Sequence, residues 1–281
     1  MKGKDVLKLI KAEVAEVLQI KEYVKASSIE EAYQLNQKKS NIIIGGMHWL
    51  KMGNRRKGTA IDLSGLGLDE ITETEDSFEI GSMVSLRMLE QHEGLNRYTS
   101  GAVRDAVKDI VGVQFRNTAT VGGSIYGRYG FSDVLTVFMA MDAYVVCHNA
   151  GTLPLSQFAA AGPDRDVIVK LVVKKTPLRI AYKAQRRSRT DFPVLTCAVS
   201  FFHGKWHAAV GARPKRAELV TDVQGILPEG AEVTEEAAET FGKYVSDSLS
   251  FGSNMRGSAE YRYQIASVII RRAVLAAGRE N

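Results

Sequence analysis

The amino-acid sequence of 281 residues predicts an α+β fold. Three observations predict it: short β-type runs fill the middle of the chain, helical patterns dominate after residue 231, and no repeat is visible. Strands followed by segregated helices favour α+β over a repeating β-α-β arrangement. This length more often holds two domains than one, and the turn residues Gly162, Pro163 and Asp164 are the best candidate for a linker.

The composition argues against several classes of protein. Hydrophobic residues make up 45% and charged residues 25%, which are ordinary globular values. The net charge of +5 is spread along most of the chain, which argues against nucleic-acid binding. Two cysteines are too few for a disulfide framework or for an iron–sulfur cluster within the chain. No signal peptide or membrane span is apparent, so we expect a soluble, cytoplasmic protein.

The first half of the chain predicts a mixture of helices and strands. Val6, Ile10, Val14 and Val17 recur every three or four residues, which predicts an amphipathic helix over 5–20. The stretch 27–31 resembles a capping box that opens a second helix, with Ser27 or Ser28 as the cap. Further strands are predicted at 41–44, 59–63, 77–80 and 143–148, and further helices at 86–91, 101–111 and 133–140.

The second half predicts a sheet followed by helices. The predicted strands are 167–173, 179–183, 194–202 and 206–211, and the predicted helices are 231–245 and 259–277. His203 and His207 are four residues apart but flank a hairpin at Gly204, so we interpret them as solvated rather than as metal ligands. The fingerprints of dinucleotide-binding folds, phosphate loops and nucleophile elbows are missing. We therefore predict no metal site and no catalytic residue.

Two glycine-containing segments are the best candidates for a ligand-binding site. They are IIIGGMHWLKMG at 42–53 and TATVGGSI at 118–125, and each is predicted to follow a β-type stretch. Exposed backbone N–H groups in such turns bind anions, and Asp133 could accept hydrogen bonds from hydroxyl groups. From the residues alone, each segment is either an ordinary tight turn or part of a cradle for a nucleotide with a diphosphate and a polyol.

The order and spacing of longer motifs resemble a known family. IIIGGMHWLKMG, IDLSGL at 61–66, QFRNTATVGGSI at 114–125 and SDVLTVFMAMDA at 132–143 resemble the FAD-binding subunit of molybdenum-containing hydroxylases, which include xanthine dehydrogenase and aerobic carbon monoxide dehydrogenase. AYKAQRRSRTDFP at 181–193 and MRGSAEYRYQIASVIIRRAV at 255–274 resemble its C-terminal domain. Where the family usually has Thr-Asp-Leu after the first glycines, this chain has Met47, His48 and Trp49.

The resemblance implies a domain plan and an FAD site. It implies an N-terminal extension helix at 1–20, a two-lobed flavin-binding domain of the p-cresol methylhydroxylase type at 21–164, and a smaller domain of antiparallel sheet and helices at 165–281. FAD would lie non-covalently between the two lobes. Its diphosphate would be wrapped by Ile42, Ile43, Ile44, Gly45, Gly46, Met47, His48 and Trp49. The remaining contacts would come from Thr120, Gly123 and Ser124 near the diphosphate and ribityl chain, Asp133 at the ribityl hydroxyls, and Ile168 and Lys183 at the ring system.

The resemblance also implies an electron-transfer subunit of an oxidoreductase. A small partner subunit with two [2Fe-2S] clusters would deliver electrons, a large subunit with the molybdenum cofactor would hydroxylate the substrate, and this chain would pass electrons from FAD to NAD or another acceptor. A stand-alone flavin oxidoreductase and a structural subunit that has lost FAD remain alternatives. Tyr126 and Tyr129 could shield the flavin or contact a neighbouring subunit, and 186–189 is interpreted as a solvated or partner-facing charge cluster.

Overall fold

The structure is a computed structural model that describes residues 17–229 and 232–279. Most of the helix predicted over 5–20 lies outside the described residues. Its last two residues, Gln19 and Ile20, begin strand β1 (Gln19–Lys25), so the helix prediction is wrong for them. Val17 is described, is not helical and is 65% exposed, so it does not extend a packed apolar stripe.

The first lobe is a small parallel sheet covered by one helix. Its strand order is β1-β3-β2, and both pairings are parallel. Ser28 is the N-cap of the helix, where its side chain accepts a hydrogen bond from the Glu31 N–H, as the capping box predicts. The other elements of this lobe are α1 (Ile29–Asn36), β2 (Ile42–Ile44), a 3₁₀ turn (Leu50–Met52) and β3 (Arg56–Asp62).

The second lobe contains an antiparallel five-stranded sheet of order β4-β5-β8-β6-β7. Its strands are β4 (Ile71–Glu73), β5 (Ser77–Gly81), β6 (Ala143–Cys147), β7 (Gly151–Pro154) and β8 (Ile168–Lys174). Strand β8 is the central strand, yet it follows the linker predicted at 162–164. A domain boundary at 165 is therefore wrong, because it would separate β8 from its own sheet. We propose that the boundary lies between Lys174 and Arg179 instead.

Short helices pack against this sheet and bury its apolar face. Phe78, Ile80, Leu89 and Phe138 belong to the resulting core and are almost inaccessible to solvent. The helices are α2 (Leu86–Gln91), α3 (Glu93–Tyr98), α4 (Ala102–Val107), α5 (Val113–Thr118), α6 (Val121–Tyr126), α7 (Asp133–Met139) and α8 (Leu155–Ala160).

The C-terminal domain is a four-stranded antiparallel meander covered by two longer helices. The turn between β10 and β11 has positive φ at His203 and Gly204, as a two-residue hairpin requires. Trp206 and Phe241 are fully buried between the sheet and the helices. The elements are β9 (Arg179–Arg186), β10 (Pro193–Phe202), β11 (Lys205–Gly211), β12 (Glu218–Thr221), α9 (Glu235–Ser248) and α10 (Ala259–Gly278).

The predicted α+β class is confirmed, with antiparallel sheets in the second lobe and in the C-terminal domain. Among residues 17–229 and 232–279, no helix combines the length and the apolar character that crossing a bilayer requires. The cytoplasmic location stays a prediction.

Candidate cofactor site

A cavity of about 760 Å³ lies where the two lobes and the C-terminal domain meet. This volume is typical of sites for small molecules and cofactors. The cavity is lined by the turn after β2, by α6 and the segment leading to α7, and by the connection from β9 to β10. It brings together every predicted site residue except Lys183: Ile42, Ile43, Ile44, Gly45, Gly46, Met47, His48, Trp49, Thr120, Gly123, Ser124, Asp133 and Ile168.

The first glycine turn is shaped by its close approach to residues 118–120. A Cβ atom on Gly46 would lie 2.1 Å from the carbonyl oxygen of Thr118, and one on Gly45 would lie 2.6 Å from Thr120 Oγ1. Met47 has a φ of 58°, so the chain turns through the left-handed region. Within the described chain, no protein group accepts a hydrogen bond from the N–H groups of residues 45–48. Four consecutive backbone donors therefore remain available to a ligand.

His48 fastens this turn to α5. Its ring packs against Phe115 with a centroid distance of 3.8 Å, and its Nε2 lies 2.8 Å from Thr118 Oγ1. Burial, followed by the charge of Lys51, lowers the pKa of His48 below its ordinary value. The imidazole is therefore neutral at neutral pH and makes a packing contact rather than an ionic one.

The second glycine segment is a helix rather than an open loop. It follows helix α5 instead of a β-type stretch, and Thr120 is the N-cap of α6, where its Oγ1 accepts a hydrogen bond from the Gly123 N–H at 3.2 Å. The Gly122 N–H donates to the Ser82 carbonyl, and a Cβ atom on Gly122 would lie 2.7 Å from that oxygen. The prediction of freely exposed N–H groups is therefore wrong for Gly122 and Gly123, whose donors are used within the protein.

Asp133, the first residue of α7, is a buried carboxylate on the cavity wall. Tyr182 Oη and Arg186 Nη2 both donate to its Oδ1, the latter at 2.5 Å. Burial raises the pKa of Asp133 to about 6, and the positive charge of Arg186 opposes that rise. Because Tyr182 and Arg186 are both on β9, the C-terminal domain completes this part of the cavity.

Lys183 lies on the opposite face of β9 from Tyr182 and Arg186, because successive side chains of a strand alternate between its two faces. Tyr182 and Arg186 lie on the face of β9 that meets Asp133, whereas Lys183 is exposed and lines a separate depression with Arg179. The assignment of Lys183 to the cofactor cavity is therefore corrected. Arg186 was interpreted as part of a solvated or partner-facing charge cluster, but its side chain is only 10% exposed and pairs with Asp133. The two-residue periodicity of β9 was the signal in the sequence that could have paired Arg186 with Tyr182.

Four aromatic residues form what we call the aromatic junction: Trp49, Tyr129, Phe131 and Phe192. They come from the first lobe, the second lobe and the C-terminal domain, and all four line the cavity. The Trp49 ring lies 5.9, 5.2 and 5.4 Å from the rings of the other three. Sequence reasoning missed Phe131 and Phe192, since no local pattern joins residues so far apart in the chain.

Comparison with known proteins identifies the family. Residues 17–175 match the family described as the FAD binding domain in molybdopterin dehydrogenase. The chain belongs to this family. Residues 180–277 match the carbon monoxide dehydrogenase flavoprotein C-terminal domain. The resemblance to the FAD-binding subunits of molybdenum hydroxylases is confirmed, and the chain is an oxidoreductase subunit.

Individual relatives match along nearly their full length. The uncharacterized protein YgfM of Escherichia coli (strain K12) is 26% identical over 260 residues, covering 89% of this chain and 94% of that protein. The nicotine 6-hydroxylase medium subunit of Paenarthrobacter nicotinovorans is 26% identical over 275 residues, covering 91% and 96%. The crystal structure of quinoline 2-oxidoreductase from Pseudomonas putida 86 has the same fold, with a TM-score of 0.82, 18% identity, and coverage of 94% of this chain and 98% of that one.

Proposed function

We propose that the chain binds FAD non-covalently in this cavity and acts as the electron-transfer subunit of a molybdenum hydroxylase complex. One observation carries the proposal: the cavity wall combines free backbone donors at residues 45–48 with the carboxylate of Asp133. A diphosphate requires donors, and a ribityl chain offers hydroxyl groups to an acceptor. The residues present therefore fit both polar parts of FAD.

Each part of the wall has a distinct role in this proposal. The N–H groups of residues 45–48 would hold the diphosphate, and the hydroxyl groups of Thr120 and Ser124 would lie beside it. Asp133 would accept a ribityl hydroxyl through Oδ2, because Tyr182 and Arg186 both donate to Oδ1. Ile168 would supply apolar packing at the ring system. FAD, when bound, supplies the capacity to accept electrons singly and release them as a pair.

The electrons would come from a partner subunit. Cys147 and Cys197 are both buried, and burial raises the pKa of each, to about 12 for Cys147. Neither thiol readily forms the thiolate that binds iron, so we assign the [2Fe-2S] clusters to a small subunit and the molybdenum cofactor to a large one. The similarity to the nicotine 6-hydroxylase medium subunit, which is one subunit of an enzyme, supports the existence of partner subunits. NAD is one candidate for the final acceptor.

Two experiments test this proposal. One measures whether the chain binds FAD and releases it on acid precipitation, and the other identifies the proteins that copurify with the chain. The purified chain, supplied with FAD, should show flavin absorbance, and acid precipitation should leave all the flavin in the supernatant. Flavin in the pellet would refute non-covalent binding and direct attention to His48. A chain without any flavin absorbance would favour the structural-subunit alternative. Affinity purification of a tagged chain should recover iron–sulfur and molybdenum subunits. Flavin-dependent substrate oxidation by the chain alone would instead favour the stand-alone flavin oxidoreductase.

A further inference from the structure

Among the described residues, the two side chains that donate to Asp133 reach the same carboxylate oxygen. Arg186 Nη2 and Tyr182 Oη both donate to Oδ1, so neither of them occupies Oδ2. Asp133 lies on the FAD-binding domain, whereas both donors lie on β9 of the C-terminal domain. The carboxylate is thus oriented by a domain other than its own.

Arg186 is itself fixed by its surroundings. Its Nη1 donates to the carbonyl oxygen of Asp191 at 2.7 Å, and Arg256 Nη1 lies 2.8 Å from each carboxylate oxygen of Asp191. The guanidinium of Arg256 also lies 4.7 Å from the centre of the Phe192 ring in the aromatic junction. Arg186 therefore links Asp133 to the connection between β9 and β10, which Arg256 holds in turn.

We propose that Arg186, assisted by Tyr182, is a positioning residue that keeps Asp133 ionised and turns Oδ2 toward the ligand. FAD retention then depends on the docking of the C-terminal domain as well as on the FAD-binding domain. This inference rests on the proposed function, because it assumes that Asp133 accepts a ribityl hydroxyl.

The charge of Arg186 matters because Asp133 is buried. Burial favours the protonated carboxylic acid, and the guanidinium is the main opposing influence, followed by the Tyr182 hydrogen bond. The elements packed against α7 also carry titratable groups, which are Arg104 and Asp105 on α4, Tyr126 on α6, Lys205 and His207 on β11, and Glu218 on β12. None of them is among the groups that shift the pKa of Asp133, and Asp105, His207 and Glu218 pair with Lys108, Thr221 and Arg213 instead. Cys197 of β10 acts on Tyr182 rather than on Asp133.

The test is the pH dependence of FAD affinity in the full chain. Since the ionised carboxylate is the stronger acceptor, affinity should fall as pH drops through the Asp133 pKa of about 6, by up to about tenfold per pH unit. Arg186→Gln removes the positive charge, so the fall should begin at a higher pH. Arg186→Lys keeps the charge and should largely restore the wild-type profile. Asp133→Asn should bind weakly with no such pH dependence.

A matched control is available in the connection that follows β9. Arg189 is 80% exposed and pairs with Asp109 at the surface, so Arg189→Gln should leave both affinity and pH profile unchanged. If Arg186→Gln does not fold, Tyr182→Phe provides the same test with a smaller shift in the same direction. Affinity lowered equally at every pH in these variants would mean a merely structural role and would overturn the inference. Absence of FAD binding by the wild-type chain would instead overturn the proposed function.

Discussion

At the scale of single residues, Gly46 is the tightest point of the proposed FAD site. A Cβ atom there would lie 2.1 Å from a backbone carbonyl oxygen, which cannot rotate away as a side chain can. We predict that Gly46→Ala displaces the turn, costs about 1–3 kcal/mol in the free energy of unfolding, and weakens FAD binding by at least about tenfold. Urea denaturation and FAD titration measure the two effects.

Alanine variants of Gly162 and Gly123 are the comparisons for Gly46→Ala. A Cβ atom on Gly162 meets no heavy atom within 4 Å, so Gly162→Ala should change neither quantity. A Cβ atom on Gly123 would lie 3.0 Å from Thr120 Oγ1, a side-chain atom that can shift, so Gly123→Ala should have an intermediate effect. Wild-type FAD affinity in Gly46→Ala would show that this turn does not hold the diphosphate.

At the scale of elements, α6 depends on its first turn, since it contains two adjacent glycines and is short. Thr120 caps this helix and also lines the cavity. We predict that Thr120→Ala lowers the free energy of unfolding by about 1 kcal/mol and also weakens FAD binding. Thr120→Ser, which keeps the hydroxyl group, should restore both. Chemical denaturation and FAD titration of the variants test this expectation.

Ser258 is the matched control, because it caps α10 in the same way but does not line the cavity. Ser258→Ala should show a similar loss of stability with unchanged FAD affinity. Equal losses of FAD affinity in the Ser258 and Thr120 variants would mean that helix stability, rather than the Thr120 hydroxyl, explains the effect.

At the scale of the whole molecule, the two tryptophans report on different regions. Trp49 belongs to the aromatic junction and is 38% exposed, whereas Trp206 is 1% exposed in the core of the C-terminal domain. We predict that FAD quenches Trp49 and shields it from acrylamide. Trp206→Phe should retain this quenching, and Trp49→Phe should lose most of it. Quenching carried mainly by Trp206 would place the flavin away from the cavity.

The sequence by itself determined most elements and the residues of the first turn. Local periodicity predicted Leu86–Gln91 correctly, capping chemistry limited the helix cap to Ser27 or Ser28, and the glycine pair marked the turn after β2. These features depend on neighbours within one turn of helix or one strand, so the sequence contains the whole signal.

Only the tertiary structure decided which distant residues complete the cavity. It assigned β8 to the second lobe, made residues 121–126 helical, put Arg186 beside Asp133, and left Lys183 outside the cavity. The pairing of β8 with β5 and the contact of Arg186 with Asp133 both join residues that are far apart in the chain, and no local pattern specifies such contacts. The cavity wall is assembled from three units for the same reason. The core of the second lobe includes Ile180, Ala198 and Ala209 of the C-terminal domain, so the packing of the units against one another brings the polar groups together.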